Sequence, residues 1–224
     1  MNELYRTGQV GQETTLPNAS LKSERATGWE TGALLQWPGH NTALRTSYFY
    51  TQVNRPITAL TLAVTPTQIT KQRENLGQLR SRGISLDFET KPVRWMTLTG
   101  GYQYADATVT KFKPQPNLIG KWLPQVPRNT GAAQVIVNKR EWGTLALSAR
   151  GSGRQFDDDR NLFLLHSFFR FDVYAEHEFG RHLKAYTSVE NIADRSIEVG
   201  RTPLLTLGQP RTVAVGLRIV GAAD

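Results

Sequence analysis

Three consecutive acidic residues stand in the stretch GSGRQFDDDR, in a segment that the strand pattern below predicts to be a loop. Carboxylate oxygens held close together could bind calcium, which takes about six to eight oxygen ligands. The spacing is not that of an EF-hand, and three consecutive side chains of an extended chain cannot all point to one centre. The sequence therefore favours a solvated loop, or salt bridges to Arg154 and Arg160, with calcium as the alternative for Asp157, Asp158 and Asp159.

Four further side chains in or beside predicted loops suit an anionic or aromatic ligand: Trp122, Arg128, Arg160 and Arg201. A guanidinium binds carboxylates and phosphates through paired hydrogen bonds, and it also stacks on aromatic rings. The four are candidate ligand-binding residues. The alternative is that Arg128 and Arg201 anchor the backbone of the loops.

The sequence offers little for catalysis. Cysteine is absent, which excludes disulfides, a thiol nucleophile and cysteine-ligated zinc. No two histidines have a metal-binding spacing on one strand face, since they are scattered as His40, His166, His177 and His182. Because no nucleophile, base and orienting group come together, we expect a protein that is not an enzyme and needs no cofactor.

The composition excludes a helical membrane protein. Hydrophobic residues make up 39% of the 224 residues, the mean hydropathy is -0.41, and no run of about 18 apolar residues is present. The formal charge of +8 is spread singly along the chain, so nucleic acid is not an expected partner. Met1 to Arg6 carry no secretory signal, so either the protein is cytoplasmic or its beginning is missing.

Apolar residues recur with a period of two, which predicts an all-β protein. In TVAVGLRIV, for example, Val213, Val215 and Leu217 share one strand face. The predicted strands are Ala26–Trp37, Thr42–Val53, Arg80–Thr90, Arg94–Ala105, Asn129–Asn138, Gly143–Arg154, Ser167–Phe179, His182–Glu190 and Arg211–Val220.

The connections between these strands alternate in length. The short turns are Pro38–Asn41, Lys91–Val93, Lys139–Trp142 and Gly180–Arg181, and the long segments are Asn54–Leu79, Asp106–Arg128, Gln155–His166 and Asn191–Pro210. This alternation predicts an up-and-down antiparallel sheet with its short turns on one edge, as in outer-membrane barrels.

The strand faces favour a membrane over a dry core. Their polar faces carry charges in mid-strand, which a water-filled interior tolerates and a dry core does not. An aromatic residue stands at or beside each short turn: Trp37, Trp95, Trp142 and Phe179. Such a ring is typical of a bilayer interface, so we expect the apolar faces to meet lipid.

The strand count indicates that more barrel lies outside this chain. If the chain ends in the periplasm and every short turn is periplasmic, an odd number of strands results, whereas single-chain bacterial barrels use even numbers. At least one strand is expected before residue 26, and Leu4–Arg6 could be its end. Residues 1–224 alone are expected to form an open transmembrane half-barrel of about nine or ten strands.

Four stretches carry a family resemblance: NASLKSERATGWETG from Asn18, NLGQLRSRGISLDFETKPVRWMTLTGGYQYADATV from Asn75, LPQVPRNT from Leu123, and VENIADRSIEVGRTPLLTLGQPRTVAVGLRI from Val189. Together, and in this order, they resemble the C-terminal barrel segment of the TonB-dependent outer-membrane receptors. The resemblance implies a bacterial outer-membrane barrel of about 22 strands with a plugged lumen, of which these strands would be the last.

Such receptors import scarce, bulky ligands such as ferric siderophores or cobalamin. The resemblance implies that an energy-coupling inner-membrane complex pulls on an N-terminal plug, which residues 1–224 do not include. Two alternatives stay open on the residues alone. A passive porin-like or structural barrel would have to close within this chain, and a soluble β-sheet binding protein would stay soluble without detergent.

Overall fold

Alternation of apolar and polar side chains produces one antiparallel sheet of nine strands. A computed structural model describes residues 2–180 and 182–219. The strands are β1 (Arg25–Trp37), β2 (Thr42–Asn54), β3 (Gln78–Val93), β4 (Met96–Lys111), β5 (Asn129–Lys139), β6 (Gly143–Ser152), β7 (Phe168–Phe179), β8 (Leu183–Glu190) and β9 (Thr212–Ile219). Each strand pairs with its neighbour in the chain, and within the described residues β1 and β9 do not pair with each other. The predicted open, up-and-down all-β segment is therefore confirmed.

The predicted strands are all present, with ends that differ by a few residues. The largest difference is at β4, which was expected to end at Ala105 and continues to Lys111. Arg181 of the fourth short turn and Val220, the predicted end of β9, lie outside the described residues. No helix in the described part of the chain is long and apolar enough to cross a membrane.

The second short turn is not where the sequence predicted it. The prediction of Lys91–Val93 is wrong, because β3 continues to Val93 and the turn consists of Arg94 and Trp95. The pairing of β3 with β4 shifts between Thr90 and Val93, which takes Lys91 and Pro92 out of the ladder. A bulge at this point suits proline, which has no N–H to donate.

The long segments contain strands of their own. Ile57–Val64 and Ile69–Asn75 form an antiparallel hairpin, and Glu13–Leu16 pairs in parallel with the second of these strands. The remaining pairs are Gly8–Val10 with Glu13–Leu16, Gln155–Phe156 with Leu164–Leu165, and Glu198–Gly200 with Thr206–Leu207. The helical elements are Asn2–Tyr5, Pro38–His40 and Pro116–Leu118. The expectation of a strand end at Leu4–Arg6 is wrong, since Leu4 and Tyr5 belong to the helix Asn2–Tyr5.

The buried core lies among the long loops and not beneath the sheet. It consists of Leu60, Leu76, Val109, Phe112 and Leu118, with Leu123 packed against it. By contrast, the apolar face of the sheet is uncovered, and the exposed fraction reaches 77% at Val215 and 82% at Ile219. A face of this kind needs a nonaqueous partner, because contiguous exposed apolar surface is unfavourable in water.

Three aromatic residues in a row interrupt the alternation of β2. Tyr48 and Tyr50 lie on the apolar face beside Trp29, with ring centroids 5.3 Å and 6.2 Å from it. Phe49 lies on the opposite face over Gly83, where an added Cβ would come within 2.8 Å of the Phe49 ring and 1.8 Å of the Tyr104 carbonyl oxygen. Glycine therefore makes room for an aromatic side chain on the polar face.

We predict that the 224-residue chain, folded by itself in detergent micelles, exposes backbone N–H groups along β1 and β9. About half of the amides of an edge strand have no partner and exchange quickly with solvent. Amide hydrogen exchange should therefore be faster in β1 than in β4, which has neighbours on both sides. Equal protection of the two strands would mean that the sheet closes into a ring within this chain.

Candidate functional site

Ion pairs cover much of the polar face of the sheet. Arg170 bridges Asp172 and Glu190, with N–O distances of 2.7 Å and 2.8 Å. On β7, Glu176 accepts a hydrogen bond from the Tyr174 hydroxyl at 2.7 Å and pairs with Lys184 and Arg218. These charged side chains are more covered than the apolar residues of the other face, since Asp172 is 17% and Glu176 12% exposed. The arrangement is the reverse of that in a soluble protein.

A concavity of about 470 Å³ lies on the same polar face. It is lined by charged residues of β2, β3 and β6, namely Arg45, Asp87, Glu89 and Arg150, and by the small residues Gly100 and Gly101. None of the ion pairs found among the described residues ties Arg45 or Arg150 to a carboxylate within 4 Å. The concavity can therefore bind polar or charged groups from outside this sheet.

The short-turn edge of the sheet carries the expected aromatic residues. Trp37, Trp95, Trp142 and Phe179 are 44%, 41%, 71% and 55% exposed. Trp37 and Phe179 are the last residues of their strands, and Trp95 and Trp142 lie in short turns. The ammonium group of Lys139 lies over the rings of Trp95 and Trp142, at 4.4 Å and 4.5 Å from their centroids. Amphipathic rings beside a cation are typical of a membrane interface.

At the opposite edge, Asp157 holds loops together. Its Oδ2 accepts hydrogen bonds from the backbone N–H groups of Arg201 and Thr202 and from the Thr202 hydroxyl, and its Oδ1 accepts one from Gln125. Burial alone would raise the pKa of Asp157, but these four hydrogen bonds outweigh it and hold the pKa below its ordinary value. The charged carboxylate thus fastens residues 153–167 to residues 112–128 and 191–211.

The two neighbouring aspartates, Asp158 and Asp159, accept hydrogen bonds from different donors. Asp158 accepts backbone N–H groups of its own loop, from Arg160, Leu162 and Phe163. Asp159 accepts the hydroxyl of Thr61, 2.8 Å away, in the hairpin of the first long segment. The structure therefore does not bring the three carboxylates to one centre, and no group of metal-binding side chains is found among the residues described.

The candidate arginines Arg160 and Arg201 contact backbone carbonyl groups. The Arg160 guanidinium donates to the carbonyl oxygen of Thr61 at 2.7 Å, and that of Arg201 donates to Leu164 at 3.0 Å. Both side chains thus act inside the loop network. This is the anchoring role that the sequence left open for Arg201.

Trp122 and Arg128 lie together. The Arg128 guanidinium stacks over the Trp122 ring at 3.9 Å and donates to Asp106 at 2.9 Å. The backbone N–H and C=O of Trp122 are both bonded by the side chain of Asn161, which fixes the tryptophan to the acidic loop. Thus all four candidate residues belong to the long-loop edge, where Trp122 and Arg128 contact each other.

Glu198 and His166 are partners that the sequence pattern did not predict. Glu198 accepts hydrogen bonds from both the backbone and the ring of His166, the ring nitrogen lying 2.8 Å away. The His166 side chain, together with its backbone N–H, holds the pKa of the Glu198 carboxyl below its ordinary value. Since the two residues are far apart in sequence, their spacing gave no signal.

Comparison with known proteins identifies the family. The family model described as TonB dependent receptor-like, beta-barrel, matches residues 1–192. The chain therefore belongs to the TonB-dependent receptor family, as the sequence resemblance indicated. The apolar face of the sheet is the lipid-facing surface of an outer-membrane barrel, and the polar face lines its interior.

Solved structures share the fold. The siderophore receptor PiuA from Acinetobacter baumannii has a TM-score of 0.72 and 18% identity, over 87% of this chain and 28% of PiuA. The ferric yersiniabactin uptake receptor FyuA from Yersinia pestis has a TM-score of 0.70 and 17% identity, over 88% and 30%. The copper transporter OprC has a TM-score of 0.72 and 14% identity, over 89% and 32%. The chain thus spans less than a third of each structure.

We predict that Asp157→Ala loosens the long loops without unfolding the sheet. The backbone N–H groups of Arg201 and Thr202 would lose their acceptor, and each buried donor left unsatisfied costs about 1–3 kcal/mol. Amide exchange at residues 201 and 202 should accelerate by at least about tenfold. Glu141→Ala, in an exposed short turn, is the matched control and should leave both amides unchanged. Unchanged exchange in the Asp157 variant would contradict the role assigned to this carboxylate.

The same loops should open in acid. The pKa values of Asp157 and Glu198 are lowered in the folded state, so both groups stabilise the loops fully above their unfolded pKa values. This contribution is lost as the pH falls below about 4. Amide exchange in residues 153–167 and 191–211, corrected for the intrinsic effect of pH, should therefore increase in acid relative to β4. The Asp157→Ala variant should lose part of this pH dependence.

Proposed function

We propose that the chain is the C-terminal part of a receptor barrel that imports a scarce, bulky ligand, of the ferric siderophore class, across the outer membrane. The observation that carries the proposal is the open nine-stranded sheet with a lipid-facing apolar side and a charged inner side. Such a sheet is one section of a barrel wall. Its family supports receptor function over a passive porin, which would have to close within this chain.

The ligand class rests on the similar structures. PiuA and FyuA are a siderophore receptor and a ferric yersiniabactin uptake receptor, whereas OprC is a copper transporter. The common fold therefore serves more than one cargo. A ferric siderophore is the class we propose for this chain, because it is the cargo type of the first two.

Energy coupling is part of the proposal. We assign a plug domain to the portion of the receptor outside residues 1–224, and an inner-membrane complex that acts through it. The inner concavity offers a surface for such a plug, because Arg45 and Arg150 have no carboxylate partner within 4 Å among the described residues. A carboxylate of the plug could form ion pairs with these two arginines.

For the loops we propose an indirect role in ligand capture. Arg160 and Arg201 bind carbonyl groups of neighbouring segments, so they keep the long loops in a fixed arrangement at the barrel mouth. A fixed arrangement reduces the conformational entropy lost when a ligand binds. Arg160 and Arg201 are therefore proposed as residues that position the ligand-binding loops, without contact to the ligand.

The experiment is energy-dependent uptake in the source bacterium. Deletion of the reading frame that encodes this chain should abolish uptake of at least one radiolabelled ferric siderophore from a panel of catecholates, hydroxamates and carboxylates. A protonophore should stop the same uptake in wild-type cells. Uptake that resists the protonophore would indicate a passive pore, and a deletion without effect on the whole panel would contradict the siderophore assignment.

A pair of variants tests the loop role in the same assay. Arg160→Ala should raise the siderophore concentration at half-maximal uptake several-fold, because it removes one of the contacts that hold residues 153–167 to Thr61. Arg140→Ala, in an exposed short turn at the opposite edge, removes the same charge and should leave uptake unchanged. Equal uptake curves for the two variants would contradict the positioning role of Arg160.

A further inference from the structure

Three arginines converge on one carboxylate where β3 and β4 leave the apolar band. Asp106 Oδ1 accepts a hydrogen bond from Arg128 at 2.9 Å. Its Oδ2 lies 3.7 Å from a terminal nitrogen of Arg80 and 3.6 Å from the Nε of Arg82, beyond hydrogen-bond distance. We call Arg80, Arg82, Arg128 and Asp106 the arginine cluster.

Hydrogen-bond donors exceed acceptors in this cluster. Each guanidinium has five N–H donors and no acceptor, whereas one carboxylate has about four acceptor positions. The Nε atoms of Arg80 and Arg128 are buried without a hydrogen-bond partner. The cluster therefore carries a net positive charge of two units, from three guanidinium groups and one carboxylate, and has fewer acceptors than donors.

Strand register places the cluster on the outward face. Arg82 lies opposite Tyr50 on one side and Asp106 on the other, in the same row of the sheet as Trp29. The next row toward the short turns contains Tyr48, Ile84 and Tyr104, which belong to the lipid-facing side. Because residues two apart share a strand face, Arg82 and Asp106 lie just beyond the apolar band, on the side of the long loops.

The surroundings are those of a membrane surface. The Trp122 ring covers Arg128, and Tyr48 and Tyr50 on the neighbouring strand β2 form an aromatic group with Trp29 on β1. Aromatic side chains at this level mark the boundary between hydrocarbon and headgroups. An anion that reaches Arg82, which is 49% exposed, therefore comes from the headgroup layer and not from the barrel interior.

We propose that the arginine cluster is a binding site for the phosphate of a lipid headgroup in the outer leaflet. Guanidinium groups bind phosphate oxygens in paired, charge-assisted hydrogen bonds, and a phosphate supplies the acceptors that the cluster lacks. Asp106, only 13% exposed, keeps the three side chains together while leaving their excess charge for the lipid. The site is independent of the imported ligand, since it lies on the opposite side of the barrel wall.

The experiment measures lipid binding to the protein purified in detergent from outer membranes. Native mass spectrometry would compare dioleoyl phosphatidic acid with dioleoylglycerol, which has the same chains and no phosphate, and would include inorganic phosphate as a competitor. We expect the phosphate-bearing lipid to bind at least about tenfold more tightly than dioleoylglycerol. Equal binding of the two lipids overturns the proposal. Displacement of the lipid by inorganic phosphate at the same concentration also overturns it, because the site would then bind a soluble anion.

Paired variants locate the binding. Arg80→Gln/Arg82→Gln should lower the affinity for phosphatidic acid at least about tenfold. Arg94→Gln/Arg140→Gln removes the same charge from exposed short turns and should leave the affinity unchanged. The single variant Arg82→Gln, at the most exposed arginine of the cluster, serves if the double variant does not fold. Wild-type affinity in a folded Arg82→Gln variant and in the double variant overturns the site. If only the Arg82→Gln variant folds, wild-type affinity of that variant is enough to overturn the site.

Discussion

The rest of this structure depends on one constraint, that backbone polar groups in a bilayer must find their partners within the protein. Lipid tails offer neither donors nor acceptors, so a strand in the membrane needs a neighbour on each side. Seven of the nine strands have both neighbours, whereas β1 and β9 have one each among the described residues. The short turns account for four of the eight strand pairs, because a short connection leaves two successive strands antiparallel and adjacent.

Once the sheet lies in lipid, the usual distribution of side chains is reversed. Val213, Leu217 and Ile219 are 62%, 70% and 82% exposed, while the carboxylate of Glu176 is 12% exposed within a group of cations and a tyrosine. The conventional hydrophobic core is then confined to the water-exposed edge, where Leu60, Val109 and Leu118 pack under the long loops. β4 continues past the apolar band, and its last residues contribute Val109 to this core.

The sequence was sufficient to predict structure that repeats locally, such as strands. It was insufficient to predict structure that depends on contacts between residues far apart in the chain. Alternation in TVAVGLRIV predicted β9, and the short turns predicted the order of the sheet. The bulge at Thr90–Val93 escaped because alternation carries no information about pairing shifts. ITALTLAV was assigned to a loop because its partners lie in the same long segment and near the N-terminus. The role of Asp157 could not be predicted, since Thr202 is 45 residues away in sequence and Asp159 contacts Thr61 over 98.

Residues 157–163 form hydrogen bonds with all three of the other long segments. Their partners are Thr61 in the first segment, Trp122 and Gln125 in the second, and Thr202 in the fourth. The mouth of the barrel is consequently a cooperative unit. A single loop cannot move away without breaking contacts that also hold its neighbours, so the opening of one loop is coupled to the opening of the others. A natural change in the length of one loop would accordingly shift the positions of the others. The protein is expected to tolerate insertions at loop tips better than within residues 157–163.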